Sequence, residues 1–231
     1  MTTILPVASG KGGVGKTVLS ANLGVALARA GKTVVLVDLD LGASNLHTVL
    51  GVKNRYPGVG NLIYKQEDNL EALLVETTER RLYLIPGDSL LPGTANLPYF
   101  RKQAIIKALR NLVADFVILD LGSGTAYNTV DFYLAGTGGI VVTTPETTAI
   151  LNAYSFIKTA IYRMLYRSFP NKSEERETVR RFFTKKIEGA DLSASALASE
   201  LRLLSEDAER TARQQLAAFQ PRVVINMAGS P

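Results

Sequence analysis

Gly10-Lys11-Gly12-Gly13-Val14-Gly15-Lys16-Thr17 decides the fold through what stands on either side of it. Before it runs Ile4 to Ala8, a short apolar segment with the composition of a buried strand. After it, Val18 to Ala30 carries a helical pattern that Gly31 stops. Strand, glycine-rich turn and helix in that order fit G-x-x-x-x-G-K-[ST] at every position. Phosphate chemistry explains the spacing. Glycines let the chain curl until its N–H groups point at phosphate oxygens, and the helix that follows adds the positive end of its dipole. Lys16 then reaches the β- and γ-phosphates of a nucleoside triphosphate, and the Thr17 hydroxyl is set to ligate Mg2+. The expected contacts to a bound nucleoside triphosphate are Gly10, Lys11, Gly12, Gly13, Val14, Gly15, Lys16, Thr17 and the helix residue Val18.

Outward from the loop, apolar and largely β-branched runs recur at Thr33 to Val37, Leu82 to Ile85, Phe116 to Leu119, Ile140 to Thr143 and Val223 to Ile225, with helical patterns between them. Most lack two-residue alternation, so both faces are covered. That is the signature of an α/β fold: a doubly wound, mostly parallel sheet flanked by helices, with ligands at the carboxyl ends of its strands. Tyr56 to Gly60 and Pro86 to Pro98 read as loops. From Thr147 to Phe219 the rhythm breaks, because the composition is helical throughout and holds no strand candidate. Pro170-Asn171 and Gly189 to Ser195 divide this stretch into about three helices. One P-loop ATPase domain over residues 1–231, with a helical insertion at about 158–220, is the expected organisation.

The 231 residues include no cysteine, which excludes a disulfide framework, a thiolate zinc site and an iron–sulfur cluster held by this chain. No apolar run approaches the ~20 residues of a membrane span, and Met1 to Pro6 lacks a signal-peptide layout, so a cytoplasmic protein is expected. The net charge of +5 is uneven: Lys158 to Lys186 carries nine Lys/Arg against three Glu, a net +6, leaving −1 for the rest. On the first helix of that stretch Ile157, Ile161, Met164 and Leu165 are spaced to pack inward. Lys158, Tyr162, Arg163, Tyr166 and Arg167 are then expected outside as a basic, aromatic face. Such a face is either a solvated surface or a dock for an acidic protein partner, an anionic membrane or nucleic acid; a protein partner is favoured, since one short patch makes few phosphate contacts.

Lys11 is not required by the generic loop, and with it the stretch Lys11 to Thr17 resembles the signature of the MinD/ParA superfamily, the deviant Walker A ATPases. The resemblance implies that Lys11 crosses a homodimer interface, formed on ATP binding, to touch the partner's nucleotide. It assigns Lys11 no partner in its own chain. Asp38-Leu39-Asp40-Leu41-Gly42-Ala43-Ser44-Asn45-Leu46 is similar to the first switch segment of MinD and of FlhG, the flagellar-number regulator. By that likeness Asp40 positions the attacking water beside the metal, while His47 is a solvated loop side chain. Asp120-Leu121-Gly122-Ser123-Gly124 and Thr143-Thr144-Pro145-Glu146 resemble the FlhG branch, with Asp120 holding the Mg2+ hydration shell. Val223-Val224-Ile225-Asn226 looks like the strand whose terminal Asn reads adenine, and the guanine-reading Asn-Lys-x-Asp is absent there. The catalytic set implied is Lys11, Lys16 and Asp40, and the metal set Thr17, Asp40 and Asp120.

The resemblance covers residues 1 to about 157 and 222 to 227. It implies a slow, partner-stimulated switch ATPase that regulates positioning or assembly. The chain stops before the C-terminal amphipathic helix through which MinD-like proteins contact the inner membrane face, so truncation at Pro231 is expected. Absence of cysteine excludes the nitrogenase iron protein and the iron–sulfur carriers of the superfamily. An amide-forming enzyme resembling cobyrinic acid a,c-diamide synthase, with a pocket lined by Tyr127 or His47, is the alternative; a binder that senses ATP without hydrolysis conflicts with retention of Lys16, Thr17, Asp40 and Asp120.

Overall fold

Valine, isoleucine and leucine dominate the segments that become strands, since branched side chains pack well on a pleated surface covered from both sides. The computed structural model describes residues 2–41, 43–53, 57–63, 66, 69–87, 97–136, 138–184 and 193–229. The strands are β1 (Thr3–Ser9), β2 (Val34–Leu39), β3 (Val75–Glu76), β4 (Leu82–Ile85), β5 (Phe116–Ser123), β6 (Ile140–Thr143) and β7 (Arg222–Ile225). They form one seven-stranded sheet in the order β3-β4-β2-β5-β1-β6-β7, parallel except for β3 against β4. All six residues of β2 are buried.

Helices α1 (Lys16–Arg29), α4 (Tyr99–Asn111), α5 (Tyr127–Tyr133) and α6 (Thr147–Ser168) follow strands, with the short α2 (Leu46–Val49) and α3 (Val59–Ile63) between β2 and β3. Buried Val7, Leu36, Ile118, Val142, Ala21 and Ala28 join sheet and α1 in one core. Gly31, at φ 86°, ends α1 as the sequence predicts.

The expected α/β class holds, with local corrections. β5 carries the apolar run Phe116 to Leu119 on through Ser123, with Asp120 held in parallel register with Val7 of β1 and Asp38 of β2. The two-residue β3 was not anticipated; its only ladder is to Leu84 and Tyr83. Within the expected loop Tyr56 to Gly60, Val59 and Gly60 open α3, and Tyr56 lies outside the described residues, as do 88–96 of the Pro86 to Pro98 loop.

The chain divides into two compact units, Met1–Phe156 with Pro221–Pro231, and Ile157–Gln220. Four helices, not three, occupy the helical stretch among the described residues: α6, α7 (Glu174–Thr184), α8 (Ala194–Arg202) and α9 (Glu206–Ala218). The extra break is at Ser205, whose side chain caps α9 by accepting from the Ala208 N–H, as Ser193 caps α8 through Ala196. Residues 185–192, which include Lys185, Lys186 and Gly189, lie outside the described residues.

The second unit has its own core of Leu165, Phe169, Val179, Phe182, Leu197 and Leu201. Tyr162 and Tyr166 pack against it, with ring centroids 5.5 Å apart, Tyr162 5.2 Å from Phe183, and the Arg176 guanidinium 4.7 Å over Tyr166. This corrects the expected outward aromatic face: α7 brings Phe183 and Arg176 to those tyrosines, so their rings are wall rather than surface. Lys158, Arg163 and Arg167 are half-buried. No helix among the described residues is long and apolar enough to cross a membrane.

Candidate functional site

The loop between β1 and α1 opens at the carboxyl edge of the sheet, where parallel strands place their following turns. Its glycines answer to different constraints. A β-carbon on Gly10 would overlap the carbonyl of Asn152 in α6 and come within 2.6 Å of the Ala153 nitrogen, so helix packing fixes this position. Gly13 (φ 80°) and Gly15 (φ 83°) have the left-handed backbone that turns amides inward, and at Gly13 nothing lies within 4 Å of where a β-carbon would stand. That open, amide-lined turn fits a phosphate group.

Lys16 is 7% exposed, and its Nζ lies 2.9 Å from Asp120 Oδ1 on the neighbouring strand β5. The hydroxyl of Ser20, one turn along α1, lies 3.0 Å from the same Oδ1 and 3.1 Å from the Lys16 carbonyl, so its single proton serves one or the other. Removing either member of this buried pair would leave a bare charge, which costs about 3–5 kcal/mol. Thr17 is half-buried at the start of α1.

The two switch carboxylates are not equivalent. Asp38 is fully buried; its Oδ2 accepts from Ser44 Oγ at 2.7 Å and the Leu46 N–H at 3.0 Å, and its Oδ1 from the Asp40 N–H at 3.1 Å. Burial pushes its carboxyl above the usual carboxylate range against the pull of those three donors, and the Asp120 charge adds to the rise. Asp38 therefore folds the segment onto itself, and Gly87 closes over it, since a β-carbon there would meet Ser44 Oγ at 2.8 Å. Asp40 is half-buried, and its Oδ1 lies 3.3 Å from where a β-carbon on Gly122 would be. Only Asp40 of the two has a carboxylate that Asp40's own chain leaves open to a water. Among the described residues no three His, Asp or Glu side chains gather into a metal cage. Magnesium on a nucleotide takes one or two protein oxygens and fills the rest with phosphate and water, so Thr17 with Asp40 or Asp120 behind it is a sufficient donor set.

Lys11 departs from expectation. Its Nζ lies 3.0 Å from Glu146 Oε2 and 3.4 Å from Thr148 Oγ1, so it does have a partner in its own chain. The pair is exposed, 43% for Lys11 and 65% for Glu146, and water screens it. His47 is also corrected: it sits on α2, half-buried, with its Nδ1 buried and unpartnered. Asn226 closes the site from the far strand. Its N–H donates to the Thr143 carbonyl at 2.7 Å, and its Nδ2 donates to the Val14 carbonyl at 2.9 Å. Gly15 is glycine partly for this reason, because a β-carbon would overlap Asn226 Nδ2. Sequence reasoning missed Ser20, Ser44 and the partnership of Glu146 with Lys11. It also missed the buried Lys102–Asp131 pair, 2.5 Å apart between α4 and α5.

A β-strand running into left-handed glycines, a buried lysine held by an acid of the adjacent strand, and a second acid over the neighbouring glycine define a phosphate-loop nucleotide-binding protein. The chain belongs to the CobQ/CobB/MinD/ParA nucleotide binding domain family, whose profile matches residues 5–227. It is 35% identical over 166 residues to the flagellum site-determining protein YlxH of Helicobacter pylori, covering 68% of this chain and 53% of that one. It thus spans about half the length of the curated relatives it matches. Among solved structures it is similar to the septum site-determining protein MinD of Pyrococcus horikoshii complexed with Mg-ADP. The TM-score is 0.61 at 31% identity, over 69% of this chain and 66% of that one. It is also similar to cobyrinic acid a,c-diamide synthase of Mycobacterium smegmatis with bound ADP and magnesium. There the TM-score is 0.63 at 27% identity, over 81% and 83%.

Proposed function

We propose that the chain is an ATP-hydrolysing switch that pairs face to face with a second copy when ATP fills the loop, and that the paired form engages a protein activator. The observation that carries this is the distribution of exposed apolar side chains. Of the thirteen large ones among the described residues, Val18, Val49, Tyr99, Phe100, Tyr127, Ile150, Leu151, Tyr154 and Met227 all follow the carboxyl ends of strands; Val113, Leu203, Val223 and Ile225 do not. Exposed apolar side chains beside a site mark an interaction face; Val18 directly follows the phosphate loop, and Leu151 adjoins Asn152, which packs on Gly10.

In this reading Lys16 leaves Asp120 for the phosphates, freeing Asp120 to hold the water shell of the metal. Thr17 supplies a metal ligand and Asp40 orients the attacking water. Magnesium, when bound, neutralises charge on the β- and γ-oxygens. Lys11 leaves Glu146 to reach the phosphates of the other copy, an exchange made easy by the weakness of an exposed ion pair. Residues 158–220 are an insertion within one ATPase domain. Asn226 favours adenine over guanine.

Asp40→Ala tests the switch. In saturating Mg-ATP the variant should run as a dimer by light scattering, and as a monomer in ADP. A monomer in ATP would overturn the paired model. Turnover in the unaltered protein that rises with a small carboxylate, and not with any protein, would instead indicate an amide-forming enzyme.

A further inference from the structure

We propose that Met227 is the nucleobase platform of this site, its thioether lying against one face of the purine ring while the phosphates occupy the loop. The inference rests on the nucleotide reading above and gives a role toward the nucleotide to a residue counted there only among the exposed apolar side chains. Three observations carry it.

First, Met227 has φ 55°, a left-handed backbone that a residue with a side chain adopts at a cost and glycine would adopt freely. Strain of this kind persists where the surroundings or a ligand make use of it. Second, the strained turn aims the side chain. The Asn226 N–H still makes the last ladder bond of β7, to the Thr143 carbonyl at 2.7 Å. One residue later the chain changes hand, and Met227 Cε comes within 3.6 Å of where a β-carbon on Gly15 would stand. The methyl end of the methionine is therefore at the rim of the phosphate loop, beside the residue that precedes Lys16. Third, the side chain is 64% exposed, a large apolar group kept in water next to the loop.

The chemistry of the occupant follows. With its phosphates in the loop, a nucleotide puts its base one ribose away, at the distance of a rim residue rather than of a loop amide. An unbranched thioether adapts to a flat aromatic face and is attracted to it through its polarizable sulfur. Such a platform reads the ring and not its edge, so it serves adenine and guanine alike. Choice between them falls to Asn226, whose Nδ2 is committed to Val14 and whose Oδ1 can accept from the 6-amino group of adenine, where guanine has a carbonyl that cannot donate.

Calorimetry on the full chain with Mg-ATP, Mg-GTP and Mg-tripolyphosphate tests this. Met227→Ala should weaken ATP and GTP together by about two- to tenfold and leave tripolyphosphate unchanged, and Met227→Leu should recover most of the loss. Met227→Gly, suited to the left-handed backbone, should bind like Met227→Ala, and it carries the test should the alanine variant not fold. Unchanged ATP affinity in these variants overturns the platform. So does an equal loss for ATP and tripolyphosphate, which would make Met227 a prop of the loop. An unaltered protein that binds neither ligand overturns the nucleotide reading itself, whereas one that binds both equally overturns only the platform.

Discussion

The two compact units treat their apolar residues in opposite ways. Among the described residues the helical unit leaves one large apolar side chain well exposed, Leu203; the sheet unit leaves twelve, nine of them after the carboxyl ends of strands. In the helical unit Tyr162, Tyr166, Phe182 and Phe183 are turned onto each other or onto the helical core. Among the described residues the helical unit thus covers nearly all of its large apolar side chains, and the sheet unit leaves many of its own in water. Burial of apolar area stabilises by roughly 25 cal/mol per Å2, and the exposed side chains of the sheet unit forgo that gain in the single chain.

The comparison can be broken hardest at Lys16. Lys16→Ala should lower ATP affinity by at least about 100-fold, since two phosphates lose their lysine. It should also destabilise the protein by about 3 kcal/mol because Asp120 is left buried without its cation. Calorimetry and denaturant unfolding read the two effects, and retained ATP binding would mean that the sheet edge is not a nucleotide site. Next in size is Phe182→Ala in the helical core, which should cost about 3–5 kcal/mol while ATP affinity stays within about twofold. An affinity that fell with the stability would show that the helical unit is not self-sufficient.

A third test charges the open face. Leu151→Glu with Tyr154→Glu, both at exposed positions, should shift stability by only about 0.5 kcal/mol and spare ATP binding. ATP-dependent pairing should weaken tenfold or more, seen by sedimentation; undiminished pairing would remove α6 from the interface. The smallest effect is at Ser44. Ser44→Ala takes one of three donors from Asp38 and should cost about 1 kcal/mol at neutral pH. Its pH dependence has a definite sign. The folded-state pKa of Asp38 is raised above 3.8, so the folded state binds the extra proton, and this group's contribution is best below the unfolded value and declines as pH rises through the folded one. Losing Ser44 raises that folded value further. The stability gap between variant and parent should therefore widen in thermal melts as pH rises above the unfolded value, and a constant gap would deny the hydrogen bond its preference for the charged carboxyl.

Most of the sheet was legible in the sequence because each long strand is a local apolar run, and the loop was legible because its chemistry needs fixed residues at fixed spacing. The apolar run of β5 stops at Leu119; beyond it Asp120 and Gly122 have poor strand propensity, and register with β1 and β2 keeps the segment extended to Ser123. β3 is too short to carry any pattern. The cis partner of Lys11 lies 135 residues away, and no periodicity connects the two. Tyr162 and Tyr166 were misjudged for the same reason. Helical spacing tells which residues share a face, but the burying residues Phe183 and Arg176 come from another helix, and only tertiary packing sets which face is covered.

The bond from Asn226 to the Val14 carbonyl joins residues 212 apart. A ribosome adding about 5–20 residues per second takes roughly ten to forty seconds to travel between them. For that interval the phosphate loop has emerged without the side chain that braces its rim, and β1 lacks the strands that flank it, β5 and β6, for much of the same time. A ribosome-bound fragment ending before Asn226 should therefore capture ATP less well than the released protein.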